Sequence, residues 1–174
     1  MKKRSMSKER LGGELGVAIR WRAVSLLITF VAIVGFALPA LGDDWRPFRG
    51  HGEERILTEP EETANECLNN CLTAFGAGWA THLGHFTRMS CGAPGENGHV
   101  VGTTEFTAAN GDTLCAAFDA EPPEGNIVSG KYTVIGGTGR FSDASGEADF
   151  VGVITFDDSG NVHIAVDFLG TIQY

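Results

Sequence analysis

Residues 132–150, YTVIGGTGRFSDASGEADF, set an alternating apolar run against a knot of glycines and then open a second alternating run. Two readings compete for this stretch: a loop that grips phosphate, or a turn between strands. A dinucleotide fingerprint or P-loop needs a strand, a glycine turn and then a helix whose N-terminus faces the phosphate. The residues after the glycines, RFSDASGEADFVGVITF, have serine, glycine and β-type alternation, with no amphipathic helix and no Gly-Lys-Ser/Thr. The stretch therefore reads as a corner between two strands. Gly136, Gly137 and Gly139 let the strands turn, Phe141 is expected to plug the end they form, and Arg140 to be a solvated rim charge.

The same texture extends in both directions. Alternation of period two predicts strands over 75–82, 85–91, 99–108, 113–120, 126–135, 147–156 and 161–173, the first two being one strand kinked at Gly84 or two separate ones. Short turn segments such as GAPGENG, NGD, EPPEG and DDSG lie between them, with glycine or proline where φ must be positive or fixed. Short links imply an antiparallel meander, and strands with no helix to cover them must close on themselves or stack. One parity collects Phe106, Leu114, Ala116, Phe118, Val128, Tyr132, Val134, Phe150, Ile154, Phe156, Val162, Ile164, Val166 and Phe168 as the inward face. The other carries Thr103, Glu105, Thr107, Asp119, Lys131, Thr133, Asp149, Thr155, His163 and Asp167, a polar exterior.

The N-terminus is of another kind. Seven of the 13 basic residues fall in the first 22 positions, ahead of the uncharged run AVSLLITFVAIVGFALPALG at 23–42. A basic region followed by an apolar one reads as an export signal, with Ala40 and Gly42 as the small residues before a cleavage point after Gly42. An uncleaved membrane anchor is the alternative, since the run is about as long as the ~20 residues a span needs. Either way the remainder is exported. Residues 43–174 carry 6 basic and 20 acidic residues, a formal charge of −14, which excludes nucleic-acid backbones as partners and sets any membrane contact in residues 23–42 alone. Residues 43–66, charged and with two prolines, read as a flexible acidic tether with a short helix near Glu61, leaving 67–174 as the barrel domain.

All four cysteines, Cys67, Cys71, Cys91 and Cys115, lie in the exported part, and an oxidising compartment favours two disulfides. Their spacing matches no common zinc finger, and neither metal nor cofactor is expected. A two-residue turn at Asn110-Gly111 sets Cys115 opposite Phe106, and Cys91 level with residue 99 or 100. These two are then on the order of 20 Å apart along the sheet, beyond the ~7 Å a disulfide spans. The expected bridges are Cys67 to Cys91 and Cys71 to Cys115, with the order open.

The segments YTVIGGTGRFSDASGEA and TTEFTAANGDTLCAAF resemble, respectively, the V-x-GGTG-x-F-x-x-A-x-G stretch and the preceding NGSTL-type hairpin of plant dirigent proteins, whose barrel is shared with allene oxide cyclases. The likeness covers about 75 of the residues after position 42. It implies an all-β, calycin-type antiparallel barrel of about eight strands with an apolar cavity, often a homo-oligomer. It also implies action by holding a reactive apolar substrate in a shaped lumen, helped by a few acidic or polar residues. No such acid aligns onto this chain, so no catalytic residue is named.

Other chemistry is sparse. His82 and His85 share a face only if Gly84 forms a bulge, and His51, His99 and His163 are scattered. DDSGN at 157–161 lacks the distal bidentate glutamate of a calcium loop and reads as a hairpin turn. FSDAS has no nucleophile-elbow pattern, and Glu105 with Asp119, both on the polar parity, read as two solvated acids. These observations admit three functions. The first is a module binding a small hydrophobic molecule against Phe106, Leu114, Phe118, Tyr132, Val134, Phe150, Ile154 and Phe168. The second is a lumen isomerase or cyclase, which needs an acid, Tyr132 or Arg140 inside the cavity. The third is a structural or surface-interaction protein with a closed, well-packed core.

Overall fold

A computed structural model describes residues 44–174; the export signal or anchor expected at 1–42 lies outside the described residues. Eight strands succeed one another: β1 (Arg46–Glu62), β2 (Cys71–Ala80), β3 (Gly84–Pro94), β4 (Val100–Ala108), β5 (Thr113–Ala120), β6 (Ile127–Gly137), β7 (Ser145–Phe156) and β8 (Val162–Gln173). Each pairs antiparallel with its successor, and β8 pairs with β1, so the sheet is a closed barrel. Closure leaves no edge to be protected from a neighbouring chain.

The registers share a simple property. In every long antiparallel pair even-numbered residues face even-numbered ones, for example Gly50 with Phe168, Gly78 with Phe86, Tyr132 with Ala148, and Phe150 with Phe168. Even positions point inward along the ladders, with two irregularities: the β1–β2 register shifts between Ile56 and Glu61, so that Glu61 faces Leu72, and Ile135 is skipped between Cys115↔Gly136 and Ala116↔Val134. The extra residue Ile135 is a β-bulge, which sharpens the turn into the glycine-rich corner.

The largest departure from the sequence reading is the segment 43–66. It is no tether: β1 occupies Arg46–Glu62 and pairs with both β2 and β8. Its inward positions are Phe48, Gly50, Gly52, Glu54 and Ile56, mostly small or charged, so the apolar alternation that marks the other strands is missing. Its charged residues Arg49, Glu53 and Arg55 occupy the outward parity. Pro47 sits near the strand start, and Pro60 falls in the register shift between Ile56 and Glu61, the two places a strand tolerates proline. The helix expected near Glu61 is instead a single 3-10 turn at Glu66–Leu68, with Asn65 Oδ1 accepting from the Leu68 N–H.

The cysteine pairing is also corrected. Cys67 bonds Cys115 and Cys71 bonds Cys91, with Cα separations of 6.1 and 5.4 Å. Cys71 opens β2, whose hairpin partner β3 carries Cys91, while the 3-10 turn carries Cys67 across the sheet to β5. Cys91 stands opposite Thr103 and Cys115 opposite Glu105, two residues apart on β4. The wide separation expected of them fails because β3 runs on to Pro94, beyond the predicted end at Cys91.

The glycines on the inward parity make room for rings. A Cβ on Gly50 would lie 2.5 Å from Phe168 Cζ, and one on Gly130 2.5 Å from Phe150 Cζ. Substituting Gly130→Ala sets a Cβ against the Asp119 carbonyl oxygen as well as the Phe150 ring, and is expected to cost about 1–3 kcal/mol or more through a shift of the β5–β6 ladder and repacking of Phe150, read as a lower denaturant midpoint at unchanged slope.

Candidate functional site in the barrel lumen

The lumen is the one place where the sequence reading put chemistry, and it is filled. Phe106, Leu114, Tyr132, Val134, Phe150 and Phe168, expected to line a ligand cavity, are all core residues packed on one another, while Phe118 and Ile154 are partly buried against the same cluster. Tyr132 stacks on Phe150 at 4.6 Å between ring centroids, and the Phe106 ring meets Tyr132 edge-on at 5.8 Å and Phe86 at 5.3 Å. The space left beside Gly52, Phe86, Val166 and Phe168 has a volume of about 10 Å³, room for about one water. Phe156, read as inward, is instead 70% exposed, because β7 carries it past the packed part of the barrel.

One end is closed by the stretch that decides the fold. Phe141, on a 3-10 turn at Gly139–Phe141, is fully buried and meets the Tyr174 ring at 4.9 Å, with Leu83 and Ile172 buried in the same cluster. Arg140 stays exposed at the rim. Its Nη2 donates to the His82 carbonyl, and its Nε lies 3.8 Å from Asp112 Oδ2. Gly136 and Gly139 take positive φ values of 125° and 58°, the conformations this corner requires.

Inside the apolar cluster sits a polar group that the sequence reading missed. Glu54 of β1 and Arg88 of β3 are both about nine-tenths buried, with Arg88 Nη1 3.2 Å from Glu54 Oε2. Arg88 Nε donates to Thr104 Oγ1 at 3.0 Å, Ser90 Oγ donates to the same oxygen at 2.9 Å, and the Thr104 hydroxyl donates to the Met89 carbonyl at 3.1 Å. The guanidinium carbon lies 5.2 Å from the Tyr132 ring centroid and 5.5 Å from that of Phe106, so two aromatic faces add cation–π attraction. Burial on its own disfavours the charged guanidinium, but the Glu54 carboxylate and Tyr132 outweigh it, and Arg88 is held charged. Burial pushes the Tyr132 phenol well above its ordinary range, against the opposing pull of Arg88, so it stays neutral.

Even parity places all four residues inward. Arg88 and Ser90 share the parity of Phe86 on a strand the alternation predicts, so they were findable; Glu54 was hidden because its strand read as a tether.

The remaining candidates do not converge. Glu105 stands opposite Cys115, whereas Asp119 stands opposite Val101 and pairs with His99 at 2.6 Å, so the two acids are separate. His82 Nε2 contacts the Pro47 carbonyl at 3.1 Å, and His85 stands opposite Trp79 on the outer face. Asp157 organises the β7–β8 hairpin. Its oxygens accept from the Asn161 side chain and from the backbone N–H groups of Asn161 and Ser159, which hold its carboxyl down to about 2.

No family model and no curated protein matches the chain. Among solved structures it is similar to a pterocarpan synthase dirigent protein, with 16% identity over 75% of this chain and 86% of that one, at a TM-score of 0.39. An overlap that loose carries no argument about activity, and the barrel stands on its own strand registers.

The buried pair makes a sharp prediction. Glu54→Ala leaves the Arg88 charge uncompensated and is expected to cost about 3–5 kcal/mol, whereas Glu54→Leu with Arg88→Met is expected to be near neutral or stabilising. Denaturant unfolding of the two variants checks this. Equal losses from both would show that the charges themselves hold the barrel together.

Proposed function

We propose that this protein is an exported, disulfide-stabilised barrel that works through its outer surface as a structural or interaction module, with its lumen serving as core. The observation that carries this reading is the packed interior: Phe106, Leu114, Tyr132, Val134, Phe150 and Phe168 are core residues in mutual contact, and the gap beside Gly52, Phe86 and Phe168 holds about 10 Å³ where small-molecule sites have roughly 300–1,000 Å³. The exterior is the better equipped face. Trp79, Leu169, Val151, Val153 and Ile127 are exposed on β2, β8, β7 and β6. Register sets them among one another, with Val153 opposite both Ala165 and Ile127, and Val151 opposite Asp167. A shallow depression of about 480 Å³ runs through this face, lined by Arg49, His51, Trp79, Asp149, Val151, Asp167 and Leu169. Exposed apolar side chains rimmed by charge are the pattern of an interaction surface. Export rests on the basic and apolar leader together with the two disulfides.

The lumen isomerase or cyclase is the second reading. It is favoured by an acid, Glu54, and a phenol, Tyr132, that do lie inside. It requires the aromatic cluster to open for a substrate. Methyl NMR with the hydrophobic dye 1-anilinonaphthalene-8-sulfonate separates the two. The surface reading expects shifts at Val151, Val153 and Leu169 and none at Leu114, Val134 and Val166; saturable shifts at the inner three would overturn it in favour of the lumen.

A further inference from the structure

The outer face of β3–β5 gathers donors for a metal ion, and it does so around a disulfide. Register aligns Met89, Glu105 and Cys115 on one outward row of three adjacent strands. The 3-10 turn then sets Cys67 over that row. The sulfurs of Cys67 and Cys115 and a carboxylate oxygen of Glu105 all lie within 4.8 Å of one another, each residue half-buried. All four line a surface depression of about 830 Å³, which Thr103 also borders. The Thr103 Oγ1 atom is buried and has no hydrogen-bond partner among the described residues. The two sulfurs are held together by their own bond; with a carboxylate oxygen beside them and a thioether on the same row, they are the donor types that thiophilic d10 cations take once the sulfurs are reduced.

As a disulfide the two sulfurs cannot act as thiolate ligands. We propose that the Cys67–Cys115 bridge is a redox gate over a metal site: once it is reduced, Cys67, Cys115 and Glu105 bind a thiophilic d10 cation such as Zn²⁺, with one position left open toward the depression. The chemistry balances with a dithiol reductant. The dithiol passes two electrons and two protons to the bridge and becomes a disulfide; the cation then displaces the two thiol protons and forms two metal–sulfur bonds and one metal–oxygen bond. A small-molecule disulfide reverses the sequence by thiol–disulfide exchange: it takes the two electrons and leaves as two thiolates, the Cys67–Cys115 bond re-forms, and the ion, stripped of both sulfur ligands, is released.

The fold allows this bridge to open without scattering its donors. Cys71–Cys91 anchors the same segment four residues on. Leu68, next to Cys67, is fully buried, and backbone hydrogen bonds from Thr63 to Asn70 and from Asn70 to Asn65 close the loop on itself. Glu105 and Cys115 are fixed by the β4–β5 ladder. Cys67 therefore stays over its partner when the covalent bond is gone.

The test uses the full chain, with Cd²⁺ as a spectroscopic probe. After reduction by a phosphine, with the opened cysteines identified by alkylation and mass spectrometry, one equivalent of Cd²⁺ is expected to give a thiolate-to-metal charge-transfer band that the oxidised protein lacks. Glu105→Gln, a half-buried surface change that leaves both disulfides able to form, is expected to weaken binding at least about tenfold, a loss that even outer-shell changes produce. The Cys71→Ser/Cys91→Ser pair is expected to keep the band, and the Cys67→Ser/Cys115→Ser pair to lose it, with circular dichroism confirming that each remains folded. The proposal is overturned by unchanged affinity in Glu105→Gln, by a band that tracks Cys71 and Cys91 instead, or by equal binding to the oxidised chain.

Discussion

Everything in this barrel depends on how eight closed strands dispose of their interior volume. A closed sheet fixes the width of its lumen, and the side chains pointing inward must either fill that width or leave a cavity. Here the large inward rings stand across from the smallest residues: Phe168 beside Gly50, Phe150 beside Gly130, Phe86 beside Gly78, and Tyr132 beside Ala148. Each ring leans into the space its neighbour lacks, and the five aromatics Phe86, Phe106, Tyr132, Phe150 and Phe168 become one contacting cluster. Such packing is stable because dispersion contacts accumulate only where no gap remains.

Into that cluster the sequence places two charges. Glu54 and Arg88 compensate each other's charge, and Thr104 and the two aromatic faces occupy other sides of the guanidinium, while Glu54 Oε2 accepts no hydrogen bond from the described residues, so the cost of taking the carboxylate out of water is met by the ion pair alone. The pair bridges β1 and β3, strands that share no ladder, across the intervening β2. It thereby ties into the core the strand with the weakest apolar pattern. An ion pair that must find one partner in one place also favours a single closure register, which is the function we assign to it.

How far the sequence could be read depends on the same packing. Tyr132, Val134, Phe150 and Phe168 alternate in plain view, and with them the all-β meander and the polar exterior were legible; Phe141 at the GGTG corner is buried. β1 was not, because its inward Gly50 and Gly52 are the complement of rings on other strands, and a single strand does not display its partner. Excluding a Cys91–Cys115 bridge was sound, although the ladder continues to Pro94 and sets the two closer than expected; the order of the remaining pairs was not legible, because it depends on the 3-10 turn that carries Cys67 toward β5 while Cys71 opens the strand paired with β3. The apolar parity was legible, yet whether it lined a cavity or a core depended on the glycines opposite the rings.

The most direct test of a filled lumen is the lumen's capacity for an inert apolar atom. Crystals of the protein pressurised with xenon are predicted to show no xenon inside the barrel of the natural chain, while the Phe168→Ala variant, with its central ring removed, gains a xenon site bounded by Gly50, Phe86 and Phe106. Xenon bound in the lumen of the unaltered protein would contradict the account, and would return the interior to the role of a ligand site.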